Sequence, residues 1–236
     1  MTLAGGPVIP SFGGNPCITQ HHWFCTSWVR QHWHSLLEPA LVQHIELTLI
    51  AVGIGFAVAF ALALVGFRFR VLDGPLGAFG DFLYALPSLT LFVILIPITG
   101  LTRTTIEIPL VSYTLFILYR NTIAGLKAVP PDALEAARGM GLTRVQTFFR
   151  VELPLAAPAI LAGLRIATVS TISIATIGGY LLADGLGYPI FDALEQPDVF
   201  KTGLVAASVL VIGLALVADI LLVLLQRVLT PWARAR

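Results

Sequence analysis

An all-α integral membrane fold of about five transmembrane helices follows from three observations on this chain. Of its 236 residues, 57% are hydrophobic and only 11% are charged, with a mean hydropathy of +0.88. A soluble domain carries about 25% charged residues, so this one lacks the polar atoms to cover a water-facing surface. The apolar runs "LTLIAVGIGFAVAFALALVGF" (47–67) and "GLVAASVLVIGLALVADILLVLL" (203–225) each reach the roughly 20 residues that cross about 30 Å of hydrocarbon at 1.5 Å per residue. The basic residues, finally, divide unevenly between the segments that flank the runs.

Residues 1–43 form the first unit, an extracytoplasmic tail ahead of a transmembrane domain over 44–236. The start, "MTLAGGPVIPSFGGNP", has neither a basic n-region nor a long apolar core, so no cleavable signal is expected. "HHWFCTSWVRQHWHSLLEPALVQH" (21–44) holds all five histidines and three of the four tryptophans. It is too polar to span, and its Trp and His density suits an amphipathic segment in the outer interface. A metal site on His21, His22, His32 and His34 is the sharper alternative. No histidine pair falls at i,i+4 with a supporting carboxylate, so no metal is expected. Cys17 and Cys25 are either a pair or two free thiols.

Span one is 47–67. Span two, 76–98, carries Asp81 near its inner end, within reach of a basic partner such as Arg68, and contains Pro87 and Pro97. Span three, "IEIPLVSYTLFILY" (106–119), is short but can run on through "RNTIAGL". Span four, 159–182, starts after Pro158, and span five is 203–225. Prolines are tolerated in spans because the bundle re-satisfies the freed backbone groups. Arg68, Arg70, Arg120, Lys127, Arg138, Arg144, Arg150, Arg227, Arg234 and Arg236 fall on one side, against Arg30, Arg103 and Lys201 on the other. Positive charge near span ends stays cytoplasmic. The N-terminus is therefore outside, the C-terminus inside, as five spans require. A net charge of +1 without a basic stripe gives no reason to expect nucleic acid.

Within the spans, Arg165 costs about 2.5–3.5 kcal/mol at mid-membrane. A helix start at Ala159 leaves it only about 9 Å in, which favours snorkelling to the cytoplasmic interface over lining a pathway. Thr168, Ser170, Thr171, Ser173 and Thr176 scatter around the helix at 100° per residue and can bond carbonyls of the preceding turn. Tyr84, Tyr113 and Asn121 are the remaining candidates for lining a pathway, Tyr84 because an aromatic face attracts a quaternary ammonium ion.

The most specified stretch is polar: "VPPDALEAARGMGLTRVQTFFRVELP" (129–154), within a cytoplasmic loop over 128–154. Two prolines suit a helix's first turn. Asp132 followed by Glu135 reads as an N-cap, and Gly139 and Gly141 end a helix of under two turns. Thr143 with Gln146 repeats the capping pattern, and "RVQTFFRVEL" forms a second helix closed by Pro154. A helix of about six residues does not hold alone in water. Two capped helices around a glycine elbow exceed what a connector needs, so the loop reads as a docking element for a cytoplasmic partner.

Glu135-Ala136-Ala137, three residues, Gly141, nine residues, then Val151-Glu152-Leu153-Pro154 resembles the "EAA" loop of binding-protein-dependent ABC importer permeases (E-A-A, x3, G, x9, I-x-L-P), with Val151 in place of isoleucine. The wider stretches 41–60, 119–169 and 176–194 resemble the osmoprotectant subclass, which imports glycine betaine, choline, carnitine or proline betaine. The similarity covers about 41–225. It implies a type I importer permease fold in a bacterial or archaeal plasma membrane. Asp132, Glu135, Ala136, Ala137, Gly141, Leu153 and Pro154 would form the element that couples to a separate ATPase.

The resemblance further implies two ATP-binding subunits, a second permease (identical or homologous) and an extracytoplasmic solute-binding protein. Asp184, Asp192, Glu195 and Asp198 would help dock the binding protein. The chain has two lysines, Lys127 and Lys201, and no G-x-x-x-x-G-K-[ST] loop, so ATP and Mg belong to the partner and no cofactor is expected here. The same architecture could import another small substrate, an amino acid or an oxyanion. An intramembrane enzyme would need clustered Ser/His, paired Asp or metal ligands at membrane depth, and every histidine precedes residue 45.

Overall fold

The computed structural model describes residues 23–196 and 199–234, which form an all-helical bundle without strands among them. Helix α1 (Thr26–His32) passes through a π turn (Trp33–Leu37) into α2 (Glu38–Arg68). Residue 43, the expected boundary of the tail, therefore lies inside a continuous helix. α3 (Arg70–Ala85) and α4 (Ser88–Thr99) follow, then α5 (Arg103–Lys127) and α6 (Pro131–Gly139). α7 (Arg144–Thr147) continues through a second π turn (Phe148–Glu152) into α8 (Leu153–Leu182). α9 (Gly187–Glu195), α10 (Lys201–Leu229) and a 3-10 turn (Pro231–Arg234) complete the chain.

Among the described residues three helical stretches are long and apolar enough to cross a membrane: Thr26–Arg68, Arg144–Leu182 and Lys201–Leu229. α3 and α4 pass that test only together, and they meet at 94°. The bend falls at Leu86–Pro87, both extended in ψ, because a residue before proline is pushed out of the helical region. The expected second span is thus a broken one.

The expected third span is 25 residues long, enough to cross, yet not apolar enough to count by composition. Its position explains this. α5 lies at the centre, packed most extensively on α8 and α2, so its side chains face protein rather than lipid. Among them Thr105, Thr114 and Thr122 are buried, and Thr114 donates to Ala51 O.

Lipid tails are as apolar as leucine, so helices in a bilayer associate by close packing and polar contacts instead. On α2, Ala51, Gly55, Ala59 and Ala63 are buried at every fourth position, and a Cβ added to Gly55 would overlap Thr114 of α5. On α8, Gly163 sits against Asn121, with Cγ at 2.8 Å from a virtual Cβ. Gly179 meets α9 backbone to backbone, its virtual Cβ 2.6 Å from Gly187 Cα.

The N-terminal aromatic segment packs at the far end of α10 from the polar loop. Trp28 is buried, stacked on His32 at 4.5 Å and edge-on to Phe200 at 4.9 Å, and Lys201 lies over Trp23 at 5.2 Å. Cys25 is disulfide-bonded, whereas Cys17, His21 and His22 lie outside the described residues. His34 pairs with Glu38, and no group of three or more potential metal ligands occurs among the described residues.

Candidate functional site: a glycine-jointed loop on a helical arm

α6 is longer than its sequence suggested: nine residues, Pro131–Gly139. Its N-cap is Pro130, without a side-chain hydrogen bond. Asp132 is therefore not the cap. It sits inside the first turn, where a carboxylate is favoured by the helix dipole, and the proline at N1 supplies the preset φ. The other end is a Schellman turn. Met140 N donates to Ala136 O at 3.0 Å, Gly141 N to Arg138 O at 2.9 Å and Leu142 N to Ala137 O at 3.1 Å. Gly141 has φ +75°, the left-handed conformation that such an ending requires.

The second element starts with a complete capping box: Thr143 Oγ1 accepts from Gln146 N at 3.3 Å, and Gln146 Oε1 accepts from Thr143 N at 2.9 Å. Pro154 does not close this helix, contrary to the expectation from sequence. It falls at the start of α8, and the preceding π turn shifts the backbone bonding so that the chain stays helical from Arg144 to Leu182. Pro158 likewise lies within α8 rather than before it. The loop's second helix is thus continuous with a 39-residue arm.

Glu135 and Ala136 are exposed, as are Asp132, Met140, Gly141 and Val145. Ala137 is fully buried, so of the expected Ala pair only Ala136 presents a small outward surface. Leu153 packs beside the buried cluster of Leu126, Ala156 and Ile160, which fastens the arm to α5, with Pro154 next to it at the start of α8. The elbow joins an exposed acidic knob to a long helical arm.

Along the arm, Arg165 reaches across to α10. Its Nε donates to Asp219 Oδ1 at 2.9 Å and its Nη2 to Asp219 Oδ2 at 3.1 Å, a two-bond fork between α8 and α10. With α8 starting at Leu153, Arg165 is about 18 Å along it rather than about 9 Å. Asp81 pairs with Arg120, not Arg68, because α3 packs on α5, while Arg68 lies over Phe69 at 5.3 Å. Asp73 accepts from Lys127 Nζ at 2.5 Å and Tyr119 Oη at 2.9 Å. Thr168, Thr171 and Thr176 bond carbonyls one turn back.

Of the pathway candidates, Tyr84 is half exposed, stacked on Phe116 at 4.5 Å and edge-on to Tyr113 at 5.7 Å. Tyr113 is buried with its hydroxyl donating to Leu86 O. Asn121 donates to Ile117 O at 2.8 Å and packs on Gly163, which occupies it in helix packing.

At the opposite end of the bundle, Asp184 turns inward. Its Oδ2 lies 3.2 Å from Arg103 Nε, and Arg103 Nη2 donates to Glu46 at 2.9 Å and to Gln43 O at 3.3 Å. His44 is buried beside it. Its Nε2 lies 3.0 Å from Ile172 O, and its Nδ1 accepts from Leu186 N at 3.2 Å, so the neutral ring with hydrogen on Nε2 satisfies both partners. Gln43 Oε1 accepts from Gly185 N. Gln43, His44 and Glu46, within about one turn of α2, thus act with Arg103 to tie α2 and α5 to the α8–α9 connection. Asp192 and Glu195 are exposed on α9, and Asp198 lies outside the described residues.

Asp219 and the Arg103 cluster are functional-looking groups that sequence reading missed. The signal for Asp219 was a second charge in a span, ten residues from its end, against an arginine twelve residues into another. No comparable signal pointed to Arg103.

Relatives agree with this architecture. The choline transport system permease protein OpuBB of Bacillus subtilis strain 168 is 35% identical over 80% of this chain and 86% of its own. The osmoprotectant import permease protein OsmW of Salmonella typhimurium strain LT2 is 34% identical over 83% and 92%. Among solved structures, the inward-facing MetNI methionine ABC transporter superposes with a TM-score of 0.74 over 85% of this chain and 98% of the other, at 21% identity, which places the fold with the type I ABC importer permeases. Residues 42–231 match the family described as binding-protein-dependent transport system inner membrane component, and the chain is a member of that family.

Proposed function

We propose that this chain is the membrane-spanning half of an ATP-driven importer for a compatible solute of the choline, glycine betaine or carnitine kind. The observation that carries the reading is the exposed Glu135–Ala136 knob, closed by the Gly141 turn and joined through it to the arm Arg144–Leu182. Such a knob can sit in a cleft of an ATP-binding subunit, and closure of two such subunits over ATP would push paired knobs and rock the arms. Rigid-body motion needs only a stiff lever. ATP and its Mg ion are held by the partner.

The complete importer has two ATP-binding subunits, a second permease and a solute-binding protein. The binding protein docks on the face that carries Asp192 and Glu195, while Asp184 supports that face from beneath through Arg103. The knob is cytoplasmic and the N-terminus outside, as the distribution of basic residues supports. The described residues ahead of α2, with their tryptophans, lie toward the outer surface of a bacterial or archaeal plasma membrane. Substrate class rests on relatives named for choline and osmoprotectant transport, and Tyr84 is the aromatic face on this chain best placed for a quaternary ammonium group.

The test is uptake of labelled glycine betaine or choline in cells that carry the complete importer, with Glu135→Arg beside the unaltered chain. Uptake should rise with external osmolarity and be lost in the variant, with membrane insertion unchanged. Unimpaired uptake by Glu135→Arg would overturn the coupling role. Strong uptake of an anion in place of the ammonium solutes would remove the substrate class and keep the importer.

A further inference from the structure

Helix α10 is attached to the rest of the bundle in an unusual way. Its buried residues, Thr202, Gly203, Ala206 and Ala207, all lie in its first two turns. None of its most apolar eighteen-residue stretch is buried. Beyond Ala207 the helix runs for 22 more residues to Leu229, about 33 Å, and among the described residues hydrogen bonds tie it to α8 at two places. One is the Arg165–Asp219 fork and the other is Gln226 Nε2 donating to Pro158 O at 3.3 Å.

Apolar contact alone does not hold such a helix in register, because lipid tails compete for the same surface on equal terms. A charged fork is different. Arginine and aspartate within a membrane span each cost several kcal/mol unpaired, and the two-bond geometry fixes both translation and rotation. The depths match. Arg165 is twelve residues from the loop end of α8 and Asp219 is ten from the corresponding end of α10. Both side chains keep about a third of their surface open, 33% and 36%, so the fork lies at the edge of the α8–α10 contact rather than inside a packed core.

α8 is the arm that carries the coupling loop, and the fork and the Gln226 bond both fasten α10 to that arm. We infer that the Arg165–Asp219 fork is the tie that makes α10 move with the arm, so that both residues position α10 for transport without touching substrate. Displacement of the knob is delivered through α8 directly and to α10 through this fork, with Gln226 as a second, weaker fastening. The inference rests on the coupling role proposed for the Glu135 loop.

The test uses the complete importer in proteoliposomes with the apolar pair Arg165→Met/Asp219→Leu, which removes the fork and leaves no unpaired charge, so that insertion is preserved. Two quantities are measured: solute moved per ATP hydrolysed, and the distance distribution between spin labels at the exposed positions Ile166 on α8 and Leu216 on α10. The expected result is a broadened distribution together with at least a fivefold fall in solute per ATP at an unchanged hydrolysis rate. An unbroadened distribution, or unchanged solute per ATP, overturns the inference. Should the apolar pair fail to insert, Arg165→Lys keeps the charges and loses the fork, and the same two readouts decide, with smaller changes expected. Glu135→Arg run in parallel separates the two ideas: retained coupling there would fail the loop reading, while the spin-label distances test the tie by themselves.

Discussion

Gly139 and Gly141 stand two residues apart on the same exposed elbow, and the structure assigns them opposite responses to one methyl group. Gly141 has φ +75°, where a Cβ crowds the following carbonyl and costs about 1–2 kcal/mol. Nothing lies within 4 Å of the position that the methyl would take, so the whole penalty is backbone strain. Gly139 is within α6, with the same open surroundings. There alanine gains about 0.5–1 kcal/mol from reduced freedom of the unfolded chain and better helix propensity.

The amides that report this are those of Met140, residue 141 and Leu142, which donate to Ala136, Arg138 and Ala137. At about 1.4 kcal/mol per tenfold, Gly141→Ala should speed their hydrogen exchange by roughly 5- to 30-fold. Gly139→Ala should slow it by about two- to fivefold. The assay is exchange read by mass spectrometry on the protein in lipid nanodiscs. If the two variants exchange alike, or Gly141→Ala is protected, the left-handed turn is not what ends α6, and the account of the elbow fails.

Thr143→Ala removes the acceptor of the capping box and should cost about 1 kcal/mol locally, seen as faster exchange of the Gln146 amide and little change elsewhere. Gly179→Ala sets a methyl against the backbone of Gly187 and Tyr188, which cannot move aside as a side chain would. It should lower the thermal midpoint in detergent, whereas Gly213→Ala, in open space on α10, should leave it unchanged. Arg103→Met leaves Asp184 and Glu46 facing one another without their cation, so protease cleavage in the connection at residues 183–186 should rise. Equal cleavage with and without Arg103 would show that Gln43 and His44 hold that connection unaided.

The loop was legible because its devices are local. A capping box needs residues three apart, and a left-handed turn needs a glycine at the right step; both Thr143–Gln146 and Gly141 are where the sequence placed them. Where the reading erred it was also about local rules, applied without the neighbours. Pro154 and Pro158 read as helix ends, yet a π turn and the packing of α8 on α5 and α2 carry the helix through both. Pro87 did break its span, since α4 turns away from α3 there.

The sequence by itself determined that this is a helical membrane protein with a polar, doubly capped elbow, because hydropathy, proline spacing and capping depend on neighbours along the chain. Only the tertiary structure decided the partners of the charges: Arg165 with Asp219, Asp81 with Arg120, and Arg103 with Asp184 and Glu46. A charge inside a bilayer must find a partner, but which one depends on which helices lie side by side. That is set by small residues such as Gly55, Gly163 and Gly179, whose importance shows only once another helix is against them.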